Sequence, residues 1–233
     1  MRQAQKDGTL SRLRLIHHHE PAATPDIATA TREGVALDDF NALAEENQWP
    51  VLIDSQCRFS ERKLIAAHDL WQQKAAGGLP RRQDMTARLL QPFIPQLTIY
   101  ERVSGTDGTL RYRVRLMGTN TVQFTAEMTG RFVDEMIDPE HLPRWFVLGQ
   151  TILRQNAPLR VLYRGDSFHK RHVVGEVFAA PMLSIDGRAD LIMAITTFEG
   201  ADSWEVVCQR AREQLASDAH GAPPPDFPFW DKV

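Results

Sequence analysis

From residue 110 to residue 117 the chain reads Leu-Arg-Tyr-Arg-Val-Arg-Leu-Met, with apolar side chains at alternate positions and an arginine between them. A period of two suits a strand with one dry and one wet face and is out of phase with a helix. It turns Tyr112, Val114 and Leu116 to one side and Arg111, Arg113 and Arg115 to the other. The preceding Ser104-Gly105-Thr106-Asp107-Gly108 has two glycines and an Asp-Gly step, which is hairpin chemistry. Residues 97–103 are therefore expected to be the antiparallel partner, and the core begins as an antiparallel sheet.

Three more strands are expected at about 159–164, 173–183 and 189–198. Ile185-Asp186-Gly187-Arg188 is short enough to pair the last two antiparallel. Between the hairpin and these strands the pattern turns helical. A short helix is expected at 119–128, an apolar piece at 132–137, and a main helix from Asp138-Pro139 to about residue 155, its regular part starting at Pro143. Trp145, Leu148 and Ile152 form the buried stripe of that helix.

Helices flank the strands. One at 60–76 is capped by Ser60 and stopped by Gly77-Gly78, with Leu64, Ile65, His68, Trp71 and Ala75 on one stripe. Another at 202–217 carries Trp204, Val207, Cys208, Ala211 and Leu215. Two strands, a helical insert and three strands make an α+β domain: a five-stranded antiparallel sheet with the insert between strands 2 and 3. The expected organisation is a largely disordered extension over 1–55 with a short helix at 37–48, a helical cap over 56–96, the core over 97–200, a C-terminal helix over 201–217 and a Pro-rich tail over 218–233.

Lys and Arg number 27 against 30 Asp and Glu, a net charge of -3, so no global basic field is present to attract nucleic acid. No apolar run approaches the roughly 20 residues that span a bilayer, and the N-terminus lacks a secretory apolar region, so a cytoplasmic protein without membrane contact is expected. The two cysteines, Cys57 and Cys208, fit neither a disulfide framework nor a zinc site. His17-His18-His19 lies in the polar extension and reads as a solvated run. GxSxG, HExxH, P-loop and GxGxxG patterns are all absent.

Four stretches carry a resemblance. His68-Asp69-Leu70-Trp71, Gly78-Leu79-Pro80-Arg81-Arg82 and Phe93-Ile94-Pro95 resemble the opening of a PAS-like family common in alphaproteobacteria. The run from Arg111 to Thr119 is similar to that family's second strand, and Thr129-Gly130-Arg131-Phe132-Val133-Asp134-Glu135 to its following turn. Glu176 with Pro181-Met182-Leu183 is similar to its fourth strand. The resemblance covers about residues 66–200 and implies a PAS fold, a concave sheet face roofed by helices and a sensory or regulatory role; it supplies no cofactor.

On that fold the concave face would be lined by Tyr112, Val114, Leu116, Phe124, Met128, Phe132, Trp145, Tyr163, Phe178, Met193 and Ile195. These residues could border a small-molecule pocket, but a filled core would use the same set, and that reading ranks first. Glu176, among apolar strand residues, must be paired if it faces inward. A strand arginine is its expected partner, ahead of a polar ligand.

A haem ligand is not expected, because the main helix shows Arg144, Trp145 and Phe146 where haem-binding PAS proteins place theirs, and His141 is expected at the surface. The light-sensing relatives carry a reactive cysteine after the first insert helices, and none lies between Cys57 and Cys208; non-covalent flavin stays open. Asp134 and Glu135 are neighbours expected to point apart. Arg102, Arg111, Arg113 and Arg115, extended by Arg160 and Arg164, would form a ladder on the outer sheet face. The flanking helices need apolar cover, from the sheet or from a second copy in a homo-oligomer. The expected function is a non-catalytic PAS sensory module acting on a signalling protein, with or without a small molecule. A ligand-free dimerising adaptor is the alternative, and a small α+β enzyme ranks last.

Overall fold

The computed structural model describes residues 26–106, 108–166, 170–199 and 202–219. Their elements run α1 (Ile27–Glu33), α2 (Leu37–Glu46), β1 (Val51–Asp54), α3 (Arg62–Ala75), α4 (Ala87–Leu90), β2 (Leu97–Ser104), β3 (Leu110–Met117), α5 (Thr119–Phe124), α6 (Leu142–Gln155), β4 (Leu159–Gly165), β5 (Lys170–Leu183), β6 (Ala189–Glu199) and α7 (Trp204–Ala219). Three short 3-10 turns, at 91–96, 133–135 and 139–141, fill the connections before β2 and before α6. Pro143 sits in the first turn of α6, where its missing N–H costs nothing. The six strands form one sheet in the order β1-β4-β5-β6-β2-β3, with every neighbouring pair antiparallel.

The expected five strands are all present, and β1 adds a sixth beside β4, from Val51↔Tyr163 to Asp54↔Arg160. The expectation of a largely disordered extension to residue 55 therefore fails from residue 26 onward. β1 is buried at all four positions. A strand covered on both faces shows a continuous apolar run instead of alternation, so Val51-Leu52-Ile53 gives no period-two signal. The chain ahead of it folds too: Phe40, Leu43 and Ala44 of α2 are buried. The end of α1 lies so close to α6 that a Cβ on Gly34, at φ +68°, would sit 2.7 Å from the Gln150 carbonyl carbon. The Val35 N–H donates to Thr151 Oγ1 at 3.2 Å there. Residues 1–25, with the histidine run, and residues 220–233 of the expected Pro-rich tail lie outside the described residues, while 218–219 belong to the end of α7.

Helices cover both faces of the sheet. On one face α1, α2 and α6 pack over Tyr112, Val114, Val161, Val177, Ala179, Ile192 and Ala194. On the other, α3 lays Leu64, Ala67 and Trp71 over Ile99, Phe178, Met193 and Ile195, and the Trp71 indole donates to the Pro181 carbonyl at 2.9 Å. Beside it α7 sets Val207 and Ala211 on Leu52, Leu162 and Val174. Leu64, Ala67 and Trp71 of α3 and Val207 and Ala211 of α7 are thus covered within the chain, whereas Ile65, also expected on the α3 stripe, is 39% exposed. Among the described residues, no helix is long and apolar enough to cross a membrane.

A bulge decides which residues of the hairpin share a face. Tyr100 pairs with Val114 while Ile99 pairs with Leu116, so Arg115 is the extra residue. Tyr112 and Val114 stay under α6, Leu116 turns to the α3 side, and Met117 returns beneath α6. The arginine ladder breaks up for related reasons. Arg102, opposite Tyr112, reaches back to α6 and donates to Gln150 Oε1 at 3.0 Å. Arg113 and Arg115 share Glu101, and Arg111 is held by Asp134. Arg160 is buried, and Arg164 binds Asp166.

Candidate functional site

Two small residues open a space at the centre of the sheet. Ala179 of β5 and Ala194 of β6 are direct cross-strand partners on the α6 side. Where larger side chains would meet α6, their methyl groups leave a cavity of about 100 Å³. Trp145, Leu148, Gly149 and Ile152 of α6 roof it, and Val161, Val177 and Ile192 continue its floor. Thr121, Thr125, Met128 and Val133 close one side. Two of these threonines turn their hydroxyls to backbone carbonyls, Thr121 to Gln96 at 3.4 Å and Thr125 to Thr121 at 3.0 Å.

Three tyrosines from three strands, Tyr100, Tyr112 and Tyr163, border the space. Burial pushes all three phenols upward, so they stay protonated at neutral pH. Two glycines accommodate the rings. Gly175 is the cross-strand partner of Tyr163, and a Cβ there would lie 2.4 Å from the ring. A Cβ on Gly149 would lie 2.6 Å from the Tyr112 ring. The Tyr112 hydroxyl is buried without a hydrogen-bond partner among the described residues. Tyr100 tilts against Trp145 with centroids 6.1 Å apart, and Tyr112 meets Phe146 edge-on at 5.7 Å.

Two cations complete the lining, Arg144 from the first turn of α6 and Arg164 from the end of β4. Arg144 is 8% exposed, and burial holds its basicity below the usual guanidinium range despite Asp166 nearby. Arg164 donates through Nε and Nη2 to the two oxygens of Asp166 at 2.7 and 2.8 Å.

Of the residues expected to line the concave face, Tyr112, Met128, Trp145 and Tyr163 do so, and Val114 lies in the core beneath the same helices without bordering the cavity. Phe178 and Met193 are one position out of phase and pack under α3, where Ile195 and the bulge-shifted Leu116 also lie. Phe124 stacks on Phe198 at 3.8 Å, and Phe132 lies under the Arg111 guanidinium at 3.8 Å. Tyr100, Thr196, Arg144 and the two alanines border the cavity without having been assigned to it from the sequence, and so does Arg164, which was expected on the outer sheet face; a paired Ala179 and Ala194 in central strands is the signal that could have found it.

Glu176 also faces away from the cavity. It is 1% exposed and accepts from Arg160 Nε at 2.5 Å, the Ser60 N–H at 3.0 Å and Ser60 Oγ at 2.5 Å. A strand arginine is its partner, and Ser60, the expected helix cap, serves this carboxylate instead. Asp134 and Glu135 do not point apart: in their tight 3-10 turn both reach Arg111, through Nε at 2.9 Å and Nη2 at 3.0 Å. His141 is half-buried beside Glu140 and Asp138.

No family model matches the chain, and no curated protein matches it. Among solved structures it is similar to an RNA-binding Light-Oxygen-Voltage receptor, with a TM-score of 0.33 and 18% identity over 60% of this chain and 39% of that one. The chain thus spans about two fifths of that receptor's length. A likeness of this grade carries no weight for function.

Proposed function

We propose that the chain is a non-catalytic, PAS-like sensory module of the cytoplasm that holds a small molecule between its sheet and α6 and signals through contact with another protein. The observation that carries this reading is the cavity over the Ala179–Ala194 pair, at the centre of the sheet and bordered by three tyrosines. Pockets that bind small molecules combine apolar walls with a few polar groups, and this lining has that composition. Among the described residues the lining has no carboxylate, histidine or cysteine, which favours binding over acid–base or nucleophilic chemistry. The resemblance of the 66–200 segment to the PAS-like family and the order β4-β5-β6-β2-β3, with helices between β3 and β4, support the same reading. A ligand would act by favouring one packing of α6 on the sheet over another.

Native mass spectrometry of freshly purified chain tests it. The expected result is a stoichiometric extra mass that collisional activation removes and that Ala194→Leu, which fills the floor, abolishes. A bare mass from the unaltered chain, unchanged after incubation with small aromatic compounds, would leave the constitutive adaptor in its place.

A further inference from the structure

Several polar groups around the cavity are already engaged. The Thr121 and Thr125 hydroxyls donate to backbone carbonyls, and Arg164 binds both oxygens of Asp166. The Tyr112 hydroxyl differs. Tyr112 borders the cavity and is 4% exposed, and its hydroxyl has no hydrogen-bond partner among the described residues. Gly149 marks where that hydroxyl lies, at the roof: a Cβ on Gly149 would sit 2.7 Å from the phenolic oxygen. Phe146 holds the ring from the side, edge-on at 5.7 Å. Burial keeps the phenol protonated, so the group is a hydrogen-bond donor. A buried donor without an acceptor costs the fold its desolvation, and a bound acceptor recovers that loss.

Resting on the reading of this cavity as a ligand site, we infer that its ligand is a short neutral carbonyl compound. The carbonyl oxygen accepts from the Tyr112 hydroxyl, and the apolar body lies on the floor beside it, along Ile192 and Ala194. Size sets the upper limit: a cavity of roughly 150 Å³ takes benzene with its six carbons, and this one, at about 100 Å³, has room for about four or five non-hydrogen atoms. A ketone or aldehyde fits better than an alcohol, because it brings an acceptor and no donor of its own, and among the described residues the lining has no carboxylate to take a donor. Neutrality follows from the walls: an ion on this aliphatic and aromatic floor would lose its hydration without replacement.

The experiment titrates the full chain and its Tyr112→Phe variant with 2-butanone, 2-methyl-1-butene and propionate, followed by amide chemical shifts. The three probes share one size and shape; the alkene has a CH2 group in place of the carbonyl oxygen, and propionate carries a charge. Dissociation constants in the millimolar range are expected for so few atoms. Tyr112→Phe should weaken 2-butanone by about fivefold to tenfold, the worth of one neutral hydrogen bond, and leave the alkene within about twofold, which also reports that the variant is folded. Propionate should leave the cavity residues unshifted. An equal change in the ketone and the alkene overturns the carbonyl assignment and leaves the cavity reading standing, as does propionate binding more tightly than 2-butanone. Failure of all three probes to shift any cavity residue of the unaltered chain overturns both.

Discussion

Replacing Glu176 by glutamine keeps the shape of a buried side chain and removes its charge. In the native fold the carboxylate, 1% exposed, accepts from Arg160 Nε, from Ser60 Oγ and, at both oxygens, from the Ser60 N–H. Without it, Arg160 keeps, among the described residues, one anionic neighbour, Asp54, at 3.9 Å. Asp54 is already engaged by Arg58 Nε and Nη2, both at 3.2 Å, and by the Gln56 N–H at 2.8 Å. Breaking one partner of a buried ion pair costs about 3–5 kcal/mol, and the more distant Asp54 should recover about 1 kcal/mol of that. The expected loss is therefore roughly 2–4 kcal/mol. With a urea slope of about 2–3 kcal/mol/M for a domain of this size, the unfolding midpoint should fall by about 1 M. Removing both charges together, Glu176→Leu with Arg160→Met, should cost less than Glu176→Gln alone, because no buried ion is stranded. Urea unfolding followed by tryptophan fluorescence measures all three proteins. A midpoint within about 0.3 M of the parent for Glu176→Gln, or a double variant weaker than the single, would refute the account.

Gly149→Ala drives a Cβ to 2.6 Å from the Tyr112 ring, so it should lower the melting temperature despite alanine's better helix propensity, by about 1–3 kcal/mol of overpacking, and Tyr112→Leu should restore part of the loss. Burial, with Asp54 beside it, pushes the Cys57 thiol from 9.0 to about 12, so at pH 8 it holds about a thousandfold less thiolate than the unfolded thiol. It should alkylate far more slowly than a free thiol until the chain is unfolded in urea. Because its folded pKa is the higher one, the stability Cys57 contributes is complete below pH 9 and is lost between about 9 and 12; Cys57→Ala should flatten that part of the stability profile. Arg58 Nη1 donates to the Gln214 carbonyl at 2.8 Å, so Arg58→Ala should raise amide exchange in the last turns of α7 about tenfold and leave β5 unchanged.

Most of the sheet was legible because its signals are local. The alternation in β3, the Gly-Asp-Gly region before it and the short turn before β6 are each contained within a few residues, and the strands lie where those patterns place them. Pro143 marked the start of α6 for the same reason, since its fixed φ and missing N–H act on one turn. β1 was missed because burial on both faces erases alternation, and the strand is held by pairing with β4, more than a hundred residues away. Leu116 was misplaced because a bulge is a property of two strands in register: the extra residue, Arg115, counts as extra only against Ile99 and Tyr100. Phe178 and Met193 show the related difficulty that alternation sorts residues into two sets without saying which set faces which helix layer. Tyr112, Trp145 and Tyr163 were found at the cavity because large aromatic residues on the α6 side of the sheet reach it, whereas the alanines beneath carry no mark of what they leave empty.

Composition, periodicity and turn chemistry alone determined that this chain builds an antiparallel sheet interrupted by helices, with arginines in need of acidic partners. Tertiary structure decided which acids those are, that α3 and α7 share one face, and that a space bordered by Arg144 and three tyrosines remains under α6. The division follows from range. Backbone preference and alternation act over a few residues, whereas a cavity or a buried ion pair exists only once segments from distant parts of the chain are brought into register.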